Sequence, residues 1–215
     1  MSKNNLRDLI ILEAGVHYVE MVDIVERINR VEPTWNLLGF ITHGAATDRR
    51  TDPITGLPIL GGESRVARFP KAWLVPSFGF PSGVSVPQER LASLIDPSVF
   101  VSRTATIGRG CVIYPHCFIG MKAVLGDRVF CLSNSTINHH DCLEDNVTVC
   151  SNVSLAGSVY VESHCYLGQA CTVKEHVCIG ENSLIGMGAV VTKDVPPNSV
   201  MVGSPARRIR ERKPA

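Results

Sequence analysis

The densest group of chemically able side chains is the run Ile137, Asn138, His139, His140, Asp141, Cys142, Leu143. Two adjacent histidines stand beside a carboxylate. Histidine is the side chain whose ordinary pKa lies nearest neutral pH, so it can take and return a proton during a reaction, the task of a general base. Asp141 is a partner for either ring. An acid at an inward site needs hydrogen bonds to offset its burial, and either imidazole can supply one. Histidine, aspartate and cysteine are also metal-ligand types. Adjacent histidines at a tight corner diverge, however, so no metal is expected.

These residues sit inside a repeat. Counting by six from Ile95 gives Val101, Ile107, Ile113, Ile119, Leu125, Cys131, Ile137, Leu143, Val149, Leu155, Val161, Leu167, Val173, Ile179, Ile185 and Val191, and the register never slips. Four places after each aliphatic comes a mostly small residue, such as Cys111, Ala123, Ser135, Val159 or Ala189; Asp141 holds that place in its own unit. Ordinary strands alternate with a period of two. A period of six is the mark of a β-helix whose units each form a short strand and a corner. Three units close one triangular coil, so residues eighteen apart stack. His116, His164 and His176 hold the same fourth place in their units as His140, which marks them as corner residues.

Composition narrows the functional classes. In 215 residues, 21 basic side chains face 20 acidic ones, so no field favours nucleic acid or an anionic membrane surface. No apolar run reaches transmembrane length, and the first residues lack the basic-then-apolar order of a signal peptide. A cytoplasmic protein is expected. All eight cysteines lie inside the repeat, and they read mostly as packing residues rather than a disulfide framework.

Before the repeat, the pattern predicts strands at 8–12, 36–42, 57–62 and 72–77. It predicts a helix over Tyr18 to Arg30 ended by Pro33, a turn at 13–17, a polar loop over 43–56, a helical turn at 64–69 and a helix over Val86 to Leu94 with Pro87 in its first turn. This βαβ-like order predicts a small parallel sheet. The expected division is an α/β domain over 1–94 and a β-helix over 95–215.

Units such as Ile107-Gly-Arg-Gly-Cys-Val and Ile179-Gly-Glu-Asn-Ser-Leu resemble those of the hexapeptide-repeat acyltransferases. The whole layout resembles the bacterial sialic acid O-acetyltransferase family and its nucleotide-sugar N-acetyltransferase relatives. The resemblance implies a Rossmann-like acceptor-binding domain, then a left-handed parallel β-helix that binds acetyl-CoA between subunits of a homotrimer. The family carries a histidine–acid–cysteine signature at the place of 137–143, where the histidine is the base and the acid orients it. Counting the register from Ile137 puts His139 on the base and His140 on the acid. Matching letters instead puts His140, Asp141 and Cys142 on the signature. By register, Gly157, Gln169 and Met187, with Gly186 and Gly188 beside it, fall on cofactor positions. Val202-Gly-Ser-Pro-Ala-Arg-Arg resembles the family's closing loop, and Arg207, Arg208 and Lys193 stand near the CoA phosphates.

For the acceptor, Gly15 and His17 match the family's glycine-rich turn, and Gly61 matches a turn near the nucleotide. Glu13 and Val16 stand where the family has glycine, and a carboxylate there repels a phosphate. Thr42-His43 replaces the paired aspartates that end the family's second strand. The resemblance implies acetyl-CoA-dependent N-acetylation of a nucleotide-linked amino-deoxysugar for surface polysaccharide. O-acetylation of a free or sialic-acid-type sugar is the alternative, and a non-catalytic trimeric scaffold is a third reading.

Overall fold

The computed structural model describes residues 6–13, 15–43, 50–81, 84 and 86–213. It divides into two compact units, Met1–Pro97 and Ser98–Ala215.

The first unit is a parallel sheet of four strands, β1 (Arg7–Glu13), β2 (Trp35–Thr42), β3 (Ile59–Gly62) and β4 (Trp73–Pro76), in the order β3-β2-β1-β4. The run Leu9 to Leu12 is fully buried, as expected of a strand covered on both faces. Helix α1 (Tyr18–Val31) links β1 to β2 and buries Met21, Ile24 and Val25. Asn29 then closes the turn by accepting the Thr34 and Trp35 amides. Among the described residues α1 is the one α-helix; the segment before β4 is a 3-10 helix, Glu63–Arg68. The connection from β3 to β4 passes back over β2 and β1, so the winding reverses between β1 and β4. In open parallel sheets the crevice at that reversal, beyond the strands' carboxyl ends, is where ligands bind.

The helix expected over Val86 to Leu94 is absent. One 3-10 turn forms at Gln88–Arg90, and Leu91 is already extended. Ala92 donates its amide to the Leu74 carbonyl at 2.8 Å, and Leu91 and Ala92 are buried. Pairing with the sheet edge beside β4 satisfies backbone and side chains together, and a helix at that edge would leave the ladder open.

The second unit is a left-handed parallel β-helix. Two-residue strands stack at a register of eighteen, as in Val124 on Cys142, Phe130 on Thr148 and Thr136 on Ser154. From Ile113 to Val191 the repeated aliphatic position is no more than 2% exposed. Each such side chain contributes about 1.5–3 kcal/mol by its burial. The small inward residues are buried as well, including Cys111, Ala123, Ser135, Asp141 and Ala189. Every sixth residue from Gly110 to Gly188 has φ between +52° and +67°. This left-handed corner favours glycine and, among other residues, asparagine, aspartate and histidine. Asn134, Asn146, Asn152 and Asn182 hold it, and so do His116, His140, His164 and His176. Histidine at the fourth place therefore has a conformational reason. His139, one place earlier, has none. All eight cysteines are free thiols; Cys117 and Cys131 lie 3.7 Å apart, sulfur to sulfur, in the interior. Among the described residues no helix is long and apolar enough to cross a membrane.

Candidate active site

Residues 138–141 form a corner between strands Thr136–Ile137 and Cys142–Leu143. Its backbone is fastened on both sides. The His140 amide donates to the Met121 carbonyl one coil before, and the His139 carbonyl accepts from Ser158 one coil after, each at 2.9 Å. Both imidazoles are exposed. Their Nδ1 atoms face each other at 3.3 Å, with the rings edge to face at 5.4 Å. One nitrogen of His139, Nδ1, is thereby engaged.

The His139 ring lies against Gly157, its stacked neighbour. A Cβ at residue 157 would stand 2.7 Å from Cε1 and 2.9 Å from Nε2, and Gly157 has φ +116°. Glycine is required there both for backbone angle and for room.

Asp141 behaves differently from the expectation that a ring would bind it. Its carboxylate is fully buried. Oδ2 accepts from the Asn138 amide at 2.5 Å and Oδ1 from the Val159 amide at 2.8 Å. The side chain follows the inward direction of its place in the unit, where the available donors are backbone amides. Burial pushes its pKa above the ordinary carboxylate value, against the pull of those amides and of the neighbouring His139.

The positions expected to meet a cofactor fall into two groups. Gly157 and Lys193 are on the His139 edge of the triangular prism, because 157 and 193 differ from 139 by multiples of eighteen. Gln169 and Met187 stack on another edge, where the Gly188 amide donates to the Gln169 carbonyl at 2.8 Å. Met187 is 77% exposed. Gly186 donates to the Met201 carbonyl, Val190 to Gly203, and Ala206 to Val190, which draws the 202–208 loop onto the Gly186–Gly188 corner. Arg207 and Arg208 open the strand Arg207–Glu211 and are exposed. Their guanidinium groups reach the Ala206 and Asn198 carbonyls. Within one chain, then, His139 and Gly157 lie on one edge, and Gln169, Met187, Gly188 and Arg207 lie on another.

In the first unit, Gly15 (φ +73°) and His17 follow β1 at the reversal point. The His17 ring meets Phe78 edge-on at 5.3 Å, and its Nδ1 lies 3.1 Å from Glu20. Gly61 (φ +115°) is covered by the Arg65 side chain. Sequence reasoning missed the polar groups around them. His43 pairs through Nδ1 with Glu63 and packs on Phe80. Asp52, read only as part of a loop, is buried and accepts from Tyr18 Oη at 2.8 Å and from the Thr55 amide at 2.7 Å. Burial and the Asp52 bond push the Tyr18 hydroxyl up to about 12. Burial, then the charge of Asp52, raise the Glu13 carboxyl. The one available signal was the unusual Thr42-His43 at the end of β2.

The hexapeptide repeat of succinyl-transferase matches residues 158–193. Galactoside O-acetyltransferase of Escherichia coli (strain K12) is 30% identical over 127 residues, 54% of this chain and 60% of that protein. The chain thus spans less than two thirds of that relative's length. Among solved structures, the acetyltransferase domain of PglB from Neisseria gonorrhoeae FA1090 superposes with a TM-score of 0.77 at 21% identity, covering 94% of this chain and all of that one. A histidine-to-alanine mutant of GDP-perosamine N-acetyltransferase from Caulobacter crescentus, in complex with CoA and GDP-perosamine, superposes with a TM-score of 0.79 at 20% identity, covering 95% of this chain and 97% of that one. At these identities the likeness is one of fold.

Proposed function

On the premise that the chain is a hexapeptide-repeat protein of the sugar acetyltransferase type, we propose that it transfers the acetyl group of acetyl-CoA to the amino group of a nucleotide-linked amino-deoxysugar, in the cytoplasm. The observation that carries this is the His139 imidazole seated on Gly157 with its Nδ1 engaged by His140. In this reaction the amine lone pair attacks the thioester carbonyl carbon. His139 Nε2 takes the amine proton as the C–N bond forms. The C–S bond then breaks, and the proton passes to the departing CoA thiolate. A backbone amide on the site wall steadies the carbonyl oxygen as it gains charge.

Acetyl-CoA would lie along the edge of Gln169, Gly186, Met187 and Gly188, with Arg207 and Arg208 of that chain, and Lys193 on the His139 edge of the facing copy, meeting its phosphates. That edge is not the His139 edge of the same chain. A second copy that sets its Met187 edge against the His139 edge of the first completes the site, and three such contacts close a homotrimer. The first unit is assigned as a Rossmann-like acceptor domain using Gly15, His17 and Gly61, supported by their place at the carboxyl end of the sheet.

The test is release of CoA from acetyl-CoA, on protein whose assembly is followed by sedimentation, against nucleotide amino sugars and free sugars. Acetyl-CoA alone should raise the melting temperature, since a ligand at a hundred times its Kd adds about 2.7 kcal/mol. A stable monomer that melts at the same temperature with and without acetyl-CoA sinks this reading and leaves a scaffold.

O-acetylation of a sugar without a phosphate is favoured by one observation: a carboxyl, Glu13, ends β1 at the turn where a phosphate would lie. Glu13→Gly should tighten a nucleotide ligand severalfold if its phosphate lies over that turn, by removing a repulsive charge. Unchanged affinity in calorimetry would place the phosphate elsewhere or point to an acceptor that has none.

A further inference from the structure

Asp141 is a carboxylate at a place the repeat otherwise gives to alanine, cysteine, valine or serine. We propose that Asp141 is a positioning residue that acts on His139 through the backbone, by tying the His139 corner to the Gly157 corner one coil later, and that it neither orients the ring nor moves a proton. The inference rests on the reading of His139 as the base.

The serines at the same place show what the repeat ordinarily does. Ser135 Oγ accepts the Val153 amide at 3.3 Å and donates to the Cys150 carbonyl at 2.8 Å. Ser183 Oγ accepts the Ser199 amide at 3.1 Å and donates to the Pro196 carbonyl at 3.0 Å. Each spends its one oxygen on one later amide and one carbonyl. Asp141 has two acceptor oxygens and no proton to give when ionised. Oδ1 makes the same reach forward, to Val159, and Oδ2 turns back to Asn138 within its own corner. Asn138 directly precedes His139, and Val159 lies two residues beyond Gly157. One buried side chain therefore spans the two backbone segments that make the imidazole's seat. Charge-assisted bonds of this kind are short and about twice as strong as neutral ones. Both carboxylate oxygens are bonded to backbone amides, and the group in contact with His139 Nδ1 is His140.

The test compares Asp141→Ala with Asp141→Ser. Both residues already occupy this place in the chain: Ala123 and Ala189 are fully buried there, as is Ser135, so both variants are expected to fold. Asp141→Ala should lower kcat roughly a hundredfold, the scale of an ångström of misplacement at a reacting group, with KM for both substrates held within about twofold. Asp141→Ser keeps an acceptor for Val159 and should stay within about tenfold of the wild-type kcat. Two readouts are independent of turnover. Exchange of the Val159 amide should quicken in Asp141→Ala and stay slow in Asp141→Ser. The NMR contact between the His139 ring and the Gly157 α-protons should vanish in the first and persist in the second. A wild-type protein that transfers no acetyl group would sink the base reading, and the exchange and ring-contact data would still decide the tie. An Asp141→Ala protein with near wild-type kcat and an intact ring contact overturns the proposal. So does Asp141→Ser as impaired as Asp141→Ala, because the negative charge rather than the tie would then be what matters.

Discussion

His139→Ala is expected to lower turnover of acetyl transfer by roughly a hundred- to ten-thousand-fold, the range for loss of a general base, while acceptor binding changes little. The ring contributes Nε2 only as the amine loses its proton, so the loss should fall on kcat. His140→Ala should cost less. His140 sits in the left-handed corner geometry that His116, His164 and His176 share (φ +60° at His140), and its imidazole meets the site through Nδ1 against Nδ1 of His139. Removing it frees the His139 ring without removing the base. Steady-state kinetics on the two variants decide between the alignments. An inactive His140→Ala beside an active His139→Ala would move the base to His140. Two active variants would remove histidine base catalysis from this corner.

The repeat was legible because it is enforced by steric exclusion at every coil. A slip of one residue would turn Ile137 and Leu143 outward and bring polar residues such as Asn138 and Glu144 into a narrow interior, so the count of six could be read straight through to the sheets and their register. The same rule says that Asp141 must point inward. What it does not say is which donors wait there, because backbone amides carry no sequence signal. The reading of Asp141 as a ring partner drew on side-chain chemistry alone, and the amides of Asn138 and Val159 had already claimed both oxygens. In the first unit the strands were read from their apolar runs, but Val86 to Leu94 was not. Its apolar residues suit a helix face as well as a sheet edge, and the choice belonged to the open edge beside β4. The pairs His43–Glu63 and Tyr18–Asp52 join residues 20 and 34 apart in sequence. They depend on where the loops after β2 and β3 return, which local patterns do not encode.

Gly157→Ala should be nearly as damaging to turnover as loss of the tie at Asp141, by a different route. The added methyl would stand 2.7 Å from Cε1 and 2.9 Å from Nε2 of His139, well inside carbon–carbon contact at about 3.5–4.0 Å. The ring must swing outward, and the displacement falls on the edge of the imidazole that would take the proton. A misplacement approaching an ångström at a reacting group costs about a hundredfold in rate. The backbone objects as well: φ +116° at Gly157 lies outside the region that L-residues adopt readily, which adds about 1–3 kcal/mol of strain and should lower the melting temperature. Kinetics below the transition separate the two effects, because the folded fraction is then saturated. The double variant with His139→Ala gives the mechanism. If the methyl acts by moving the base, Gly157→Ala should slow the wild type but add almost nothing once the imidazole is gone, a strongly non-additive pair. Additive losses would mean that Gly157 works on the substrate directly, through its amide or its open surface, and undiminished turnover in the single variant would mean that the imidazole does not rest on Gly157 during the reaction.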